Sequence, residues 1–112
     1  MAKKPMPKDL PSKEPMDKDA AKEWHLYILR CREGELYTGI TLDLHRRFEE
    51  HQSNGPKCAK YLRGKQPLTM IYHHAFDDKS SALKAEIKVK KLTAEQKKLL
   101  ACGQLVINEI TS

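Results

Sequence analysis

The chain reads as a small α/β domain: a three-stranded, mainly antiparallel sheet flanked by helices in the order β-β-α-β-α-α. Three observations predict this. Two β-prone runs, residues 24–31 and 35–40, are separated only by Arg32-Glu33-Gly34. A third run at 68–75 alternates between apolar and polar residues. The segments after the second and third runs carry helix caps and apolar residues at helical spacing. Short strands mixed with helices of this length fit one sheet covered by helices.

The first 22 residues stand apart. They hold six Lys, four acidic residues and four of the six prolines, with only three Met and one Leu as large apolar side chains. Such a stretch buries too little apolar surface to offset its conformational entropy. It is expected to be a disordered tail of charge +2, with the domain spanning residues 23–112 and carrying +4 of the net +6.

In the domain, residues 24–31 (WHLYILRC) read as a buried strand and 35–40 (ELYTGI) as its partner. A three-residue hairpin loop favours a left-handed residue at its last position, where Gly34 stands. That choice sets a register in which Leu29 opposes Tyr37 and Tyr27 opposes Gly39. Tyr27 and Tyr37 then share one face as diagonal neighbours, about 7–8 Å apart at Cα.

Residues 41–52 (TLDLHRRFEEHQ) follow as a helix capped by Thr41 or Asp43. Leu44, Arg47, Phe48 and His51 fall on one face. Leu44 and Phe48 must meet the sheet, which carries Arg47 and His51 to the border of the buried stripe. Asn54-Gly55-Pro56 ends the helix. Residues 57–66 are a basic connector with room for one helical turn, and 68–75 form the third strand. Asp78 or Ser80 caps a helix over 81–91, in which Ala82, Leu83, Glu86, Ile87 and Val89 make one side and Lys84, Lys88 and Lys91 the other. Thr93 with Gln96 matches a capping box that opens a last helix through about Cys102. Residues 105–110 are expected to be strand or irregular.

Composition bounds the function. A basic domain suggests an anionic partner, most often nucleic acid. No apolar run approaches the roughly 18–20 residues needed to span a bilayer, and the N-terminus lacks the apolar core of a secretory signal. Three separated cysteines, Cys31, Cys58 and Cys102, suit free thiols in a reducing cytoplasm better than a disulfide framework or a zinc site.

Three elements aim polar side chains at one region: Tyr27 and Tyr37 from the hairpin, Arg47 and His51 from the first helix, Glu86 from the later one. Each has a plain structural alternative: cross-strand packing for the tyrosines, an Arg47–Asp43 pair, a Glu86–Lys90 pair, or a helix-dipole role for His51. Their convergence is what argues for a site. His73 and His74 are adjacent in a strand and point to opposite faces, so they make no joint metal site.

These residues resemble the GIY-YIG nuclease superfamily, its small single-domain bacterial branch in particular. His25-Leu26-Tyr27 stands where that family has Gly-Ile-Tyr, and Tyr37-Thr38-Gly39 where it has Tyr-Ile-Gly. Arg47, His51 and Glu86 match the family's later Arg, His and metal-binding Glu. The first motif keeps only its tyrosine. The resemblance implies hydrolysis of phosphodiester bonds in nucleic acid, DNA ahead of RNA, in repair or processing. It implies one divalent metal, Mg²⁺ or Mn²⁺, held by Glu86, with Tyr27, Tyr37, Arg47, His51 and Glu86 catalytic. One tyrosine would help deprotonate water, and His51 would orient a tyrosine or protonate the leaving group. Lys57, Lys60, Tyr61, Arg63 and Lys65 in the connector are candidate nucleic-acid contacts. A binding module of the same fold without catalysis is the competing expectation.

Overall fold

The computed structural model describes residues 23–111; the expected tail lies outside them. The strands are β1 (Trp24–Arg30), β2 (Leu36–Thr41) and β3 (Thr69–Phe76). The helices are α1 (Leu44–Gln52), α2 (Lys79–Lys90), α3 (Ala94–Ala101) and α4 (Ile107–Thr111), with a single 3₁₀ turn at Lys60–Leu62. The sheet order is β2-β1-β3, and both pairings are antiparallel.

The hairpin register is the expected one. Leu29 faces Tyr37 and Tyr27 faces Gly39. The loop closes with the Cys31 amide donating to the Glu35 carbonyl at 2.8 Å, and Gly34 sits at φ 100°. A side chain there would be strained by the backbone alone, since nothing lies within 4 Å of where it would start. On the other side of β1 the pairing with β3 shifts between Ile28 and Leu29, which leaves Ile71 as an extra residue.

Period-two alternation along β1 divides the interior in two. Tyr27, Leu29 and Cys31 meet Leu44 and Phe48 of α1, together with Cys58, Leu62, Leu68 and Met70. Leu26 and Ile28 point the other way, to Ala85 and Val89 of α2, Leu100 of α3 and Ile107 of α4. Full burial of a side chain such as Phe48 contributes about 2–3 kcal/mol.

The caps explain the helix starts. Asp43 accepts from the Arg46 amide, so Asp43 rather than Thr41 is the α1 cap. Asp78 accepts from the Ser81 amide and starts α2 at Lys79, two residues before the expected start. Thr93 and Gln96 form the expected reciprocal box at α3.

Two expectations are corrected. The C-terminal apolar segment is helical, because as a helix it packs Leu105, Ile107 and Ile110 into the core layer shared with α2 and α3. The buried side of α2 is Ala82, Ala85 and Val89, while Leu83 and Ile87 are exposed, Ile87 at 54%. Small alanines let the helix approach the sheet closely, and they outrank the larger residues for the inward face. Glu86 stays beside that face, and Lys84, Lys88 and Lys91 remain on the exposed side as expected.

Candidate active site

Tyr27 is the centre of the site. It is 2% exposed, and its ring lies across β2 directly over Gly39. An added Cβ at Gly39 would stand 2.5 Å from Tyr27 Oη and 2.7 Å from Cζ. The glycine is thus a gap through which the hydroxyl reaches the free edge of the sheet. Tyr37, half-buried on the same face, has its ring centroid 6.4 Å from that of Tyr27.

His51 is completely buried and reaches Tyr27 Oη with Nε2 at 3.0 Å. The Ala59 amide points its hydrogen at Nδ1, 3.3 Å away. Nδ1 is therefore the acceptor, Nε2 carries the proton, and the imidazole donates to the tyrosine. Tyr27 keeps its own O–H proton for another partner. Burial first, then the Arg47 charge, lowers the His51 pKa to about 4, with Glu50 acting the other way. The ring is neutral at pH 7. Burial also pushes the Tyr27 hydroxyl up, aided by Tyr37 and opposed by Arg47, so Tyr27 holds its proton at rest.

Arg47 is one turn before His51. Its Nη1 donates to Glu50 Oε1 at 2.8 Å and to the Lys57 carbonyl at 2.9 Å. The sequence suggested Asp43 as the ion-pair partner; Glu50 has that role because the Asp43 side chain is used as the cap. Burial opposes the Arg47 charge, yet the Glu50 hydrogen bond and the Tyr27 oxygen push its pKa up. The same bond holds Glu50 below the usual carboxylate range.

Glu86 comes from the opposite layer. Its side chain is 16% exposed, pairs with Lys90 at 3.3 Å, and is close enough to influence Tyr27 electrostatically. Among the described residues no three His, Cys, Asp or Glu side chains converge as a metal cage. A lone carboxylate fits a hard cation that keeps most of its waters, as Mg²⁺ does. It does not fit a metal such as Zn²⁺ that needs several His or Cys donors.

The connector brings the remaining candidates. Lys57, Lys60, Tyr61 and Arg63 are exposed and Lys65 is half-buried. Tyr61 stacks on Tyr37 at 5.9 Å and 21°, and Lys65 Nζ sits 3.8 Å from the Tyr61 ring centre. Three supporting groups are not apparent from residue type and spacing: the Ala59 amide, Glu50, and Gln66, whose Nε2 donates to the His51 carbonyl at 2.7 Å. Only Glu50 carries a local signal, the i, i+3 spacing from Arg47.

The His51 arrangement has a thermodynamic consequence. An unfolded histidine titrates near 6.5. Between that value and about 4, the unfolded chain binds a proton that the folded site refuses, so stability falls as pH drops through this window. This residue alone is expected to cost about 2 kcal/mol between pH 7 and pH 5. Urea titrations at both pH values should show the loss in wild type and a clearly smaller one in His51→Gln. Equal losses would contradict the burial of a neutral ring.

The paired tyrosines, the buried histidine and the anchored arginine thus gather on one face of the sheet. The family model described as "GIY-YIG catalytic domain" matches residues 23–99, and the chain belongs to that family. Membership implies nuclease-type activity on nucleic acid. Within the family the chain is similar to the UPF0213 proteins. A UPF0213 protein of Cronobacter sakazakii is 46% identical over 90 residues, 80% of this chain and 93% of that one. A UPF0213 protein of Yersinia pestis is 51% identical over 81 residues, 72% and 83% of the two chains. A solution NMR structure of a UPF0213 protein from Bacillus halodurans is 37% identical, covers 80% of this chain and 94% of that one, and aligns with a TM-score of 0.48. No helix among the described residues is long and apolar enough to cross a membrane.

Proposed function

We propose that the protein is a divalent-metal-dependent nuclease that hydrolyses phosphodiester bonds in DNA. The observation that supports this reading is the cluster of Tyr27, Tyr37, His51 and Arg47 on one face of the sheet, with the Glu86 charge felt at Tyr27. Glu86 is the protein ligand for Mg²⁺ or Mn²⁺, which when bound polarises the phosphate and stabilises the leaving oxygen.

The chain's own groups do the rest. Arg47 spends one nitrogen on Glu50 and the Lys57 carbonyl and also hydrogen-bonds Tyr27, and the guanidinium donors left over serve the nonbridging oxygens as charge grows. Tyr27 stays protonated, accepts from His51, and orients the attacking water or a phosphate oxygen through its O–H. Tyr37, as its phenolate, is the base left to take the water's proton and become the neutral phenol, with a neighbouring positive charge favouring the phenolate. His51 is a positioning residue: neutral and buried, it has no path to the leaving group. Lys57, Lys60, Tyr61, Arg63 and Lys65 contact the nucleic-acid strand.

A cleavage assay over single strands, duplexes, flaps and branched junctions, with Mg²⁺ or Mn²⁺ and with chelator, tests the reading. Product is expected only with metal. Tyr37→Phe, which has no oxygen to accept the water's proton, is expected to lose most of the product in the same assay. Salt-sensitive binding without product under any metal would overturn the reading in favour of a binding module.

A further inference from the structure

The rings of His51, Tyr37 and Tyr61 form a series that runs from the buried site to solvent. His51 and Tyr37 meet edge-on at 5.6 Å, Tyr37 and Tyr61 lie nearly parallel at 5.9 Å, and Tyr61 is 47% exposed. An exposed tyrosine beside the reacting groups is not needed for the hydrophobic core. The segment that carries it is also firmly placed. The Ala59 amide bonds His51, the Lys57 carbonyl accepts from Arg47, and the Gly64 amide donates to Asn54 Oδ1 at 3.1 Å. Tyr61 therefore has a fixed position relative to the catalytic side chains.

Charge follows the same line. Lys65 Nζ stands against the Tyr61 ring and pairs loosely with Glu35 at 3.7 Å. Beyond it, the connector and the hairpin loop enclose a cleft of about 250 Å³ with Arg32, Arg63 and Lys65 on its walls. Glu33 and Glu35 line it too, and each is within 4 Å of one of those cations. An aromatic face followed by cations suits a strand whose base stacks and whose phosphates run on into the cleft.

We propose that Tyr61 is a stacking platform for one unpaired base next to the scissile phosphate, the base displacing the Lys65 ammonium from the ring while the Tyr37 stack stays in place. The substrate class is then single-stranded or branched DNA, in preference to continuous duplex. The inference rests on the nuclease reading for the position of the scissile bond. Its physical basis is a balance. Stacking on an aromatic side chain is worth about 5- to 150-fold in affinity per base. Extracting a base from a duplex costs a comparable factor or more, and costs least where the base is already unpaired. The platform gains affinity only where that cost is absent.

The test is binding by the full chain in chelator, so that no cleavage is required. Fluorescence anisotropy compares a single-stranded DNA with the duplex of the same sequence, and 2-aminopurine in the strand reports stacking directly. Tyr61→Ala is expected to weaken single-strand binding about tenfold, to abolish the quenching of 2-aminopurine, and to leave duplex binding within about twofold. Tyr61→Phe keeps the ring and should keep both signals, which separates stacking from misfolding. Equal loss on both DNAs, no loss on either, or loss in Tyr61→Phe as large as in Tyr61→Ala would overturn the proposal. The two readings fail separately. Strand-selective, Tyr61-dependent binding without cleavage sinks the nuclease and spares the platform. Metal-dependent cleavage that ignores Tyr61 does the reverse.

Discussion

Arg47→Ala and Glu86→Gln are each expected to reduce cleavage by about 10²–10³-fold while the protein stays folded. The two losses have different causes. Glu86→Gln removes the charge proposed to hold a hard cation but preserves shape, so excess Mn²⁺ should recover part of the activity. No metal should rescue Arg47→Ala. Arg47→Lys is the sharper probe of the arginine. The guanidinium satisfies Glu50 Oε1 and the Lys57 carbonyl with Nη1 and still has donors for a phosphate. A lysine ammonium is a point donor without that fork, so Arg47→Lys should behave like the alanine variant. Folding should survive, since breaking a partly exposed ion pair costs about 1 kcal/mol or less. Loss of the arginine charge should also let the His51 pKa rise from about 4, because Arg47 is one of the groups that lower it. Histidine NMR titration reads that shift. Cleavage that survives both single changes would remove these residues from the chemistry.

Much of this site can be read from residue order, because it depends on local periodicity. Gly34 fixes the hairpin register, the register puts Tyr27 and Tyr37 on one face, and Leu44 with Phe48 orients α1 so that Arg47 and His51 fall at its border. All of these relations span short stretches of chain. The α2 face was less legible. By size, Leu83 and Ile87 belong inside, but the close approach of the helix favours Ala82 and Ala85, a property of the tertiary contact and not of the helix alone. The tautomer of His51 was invisible for a similar reason. It is set by a backbone amide eight residues away, at Ala59, and a backbone donor has no signature in residue type. Glu50 was overshadowed by Asp43, whose carboxylate is consumed by capping.

Gly39→Ala is expected to damage the site more than alanine at any other glycine of the described residues. The new Cβ would fall 2.5 Å from Tyr27 Oη and 2.7 Å from Cζ, and the Tyr27 ring has no room to retreat because it is packed against Tyr37, His51 and the α1 side of the core. Overpacking of this kind costs about 1–3 kcal/mol. The larger effect is functional, since the only relief is to move the Tyr27 hydroxyl away from His51 and from the sheet edge. Gly34→Ala is the control. That glycine has φ 100° with open space around it, so the cost is backbone strain of about 1–2 kcal/mol and cleavage should persist. The two glycines are thus retained for unlike reasons, one for its dihedral angle and one for the space it leaves. A double-mutant cycle distinguishes them. Trimming the ring with Tyr27→Leu should offset part of the Gly39→Ala penalty, giving a coupling of about 1–2 kcal/mol by urea denaturation, and should show none with Gly34→Ala. Tyr27→Phe should not relieve the clash, because Cζ remains. Purely additive energies for the Gly39 and Tyr27 changes would mean that the tyrosine does not lie over the glycine.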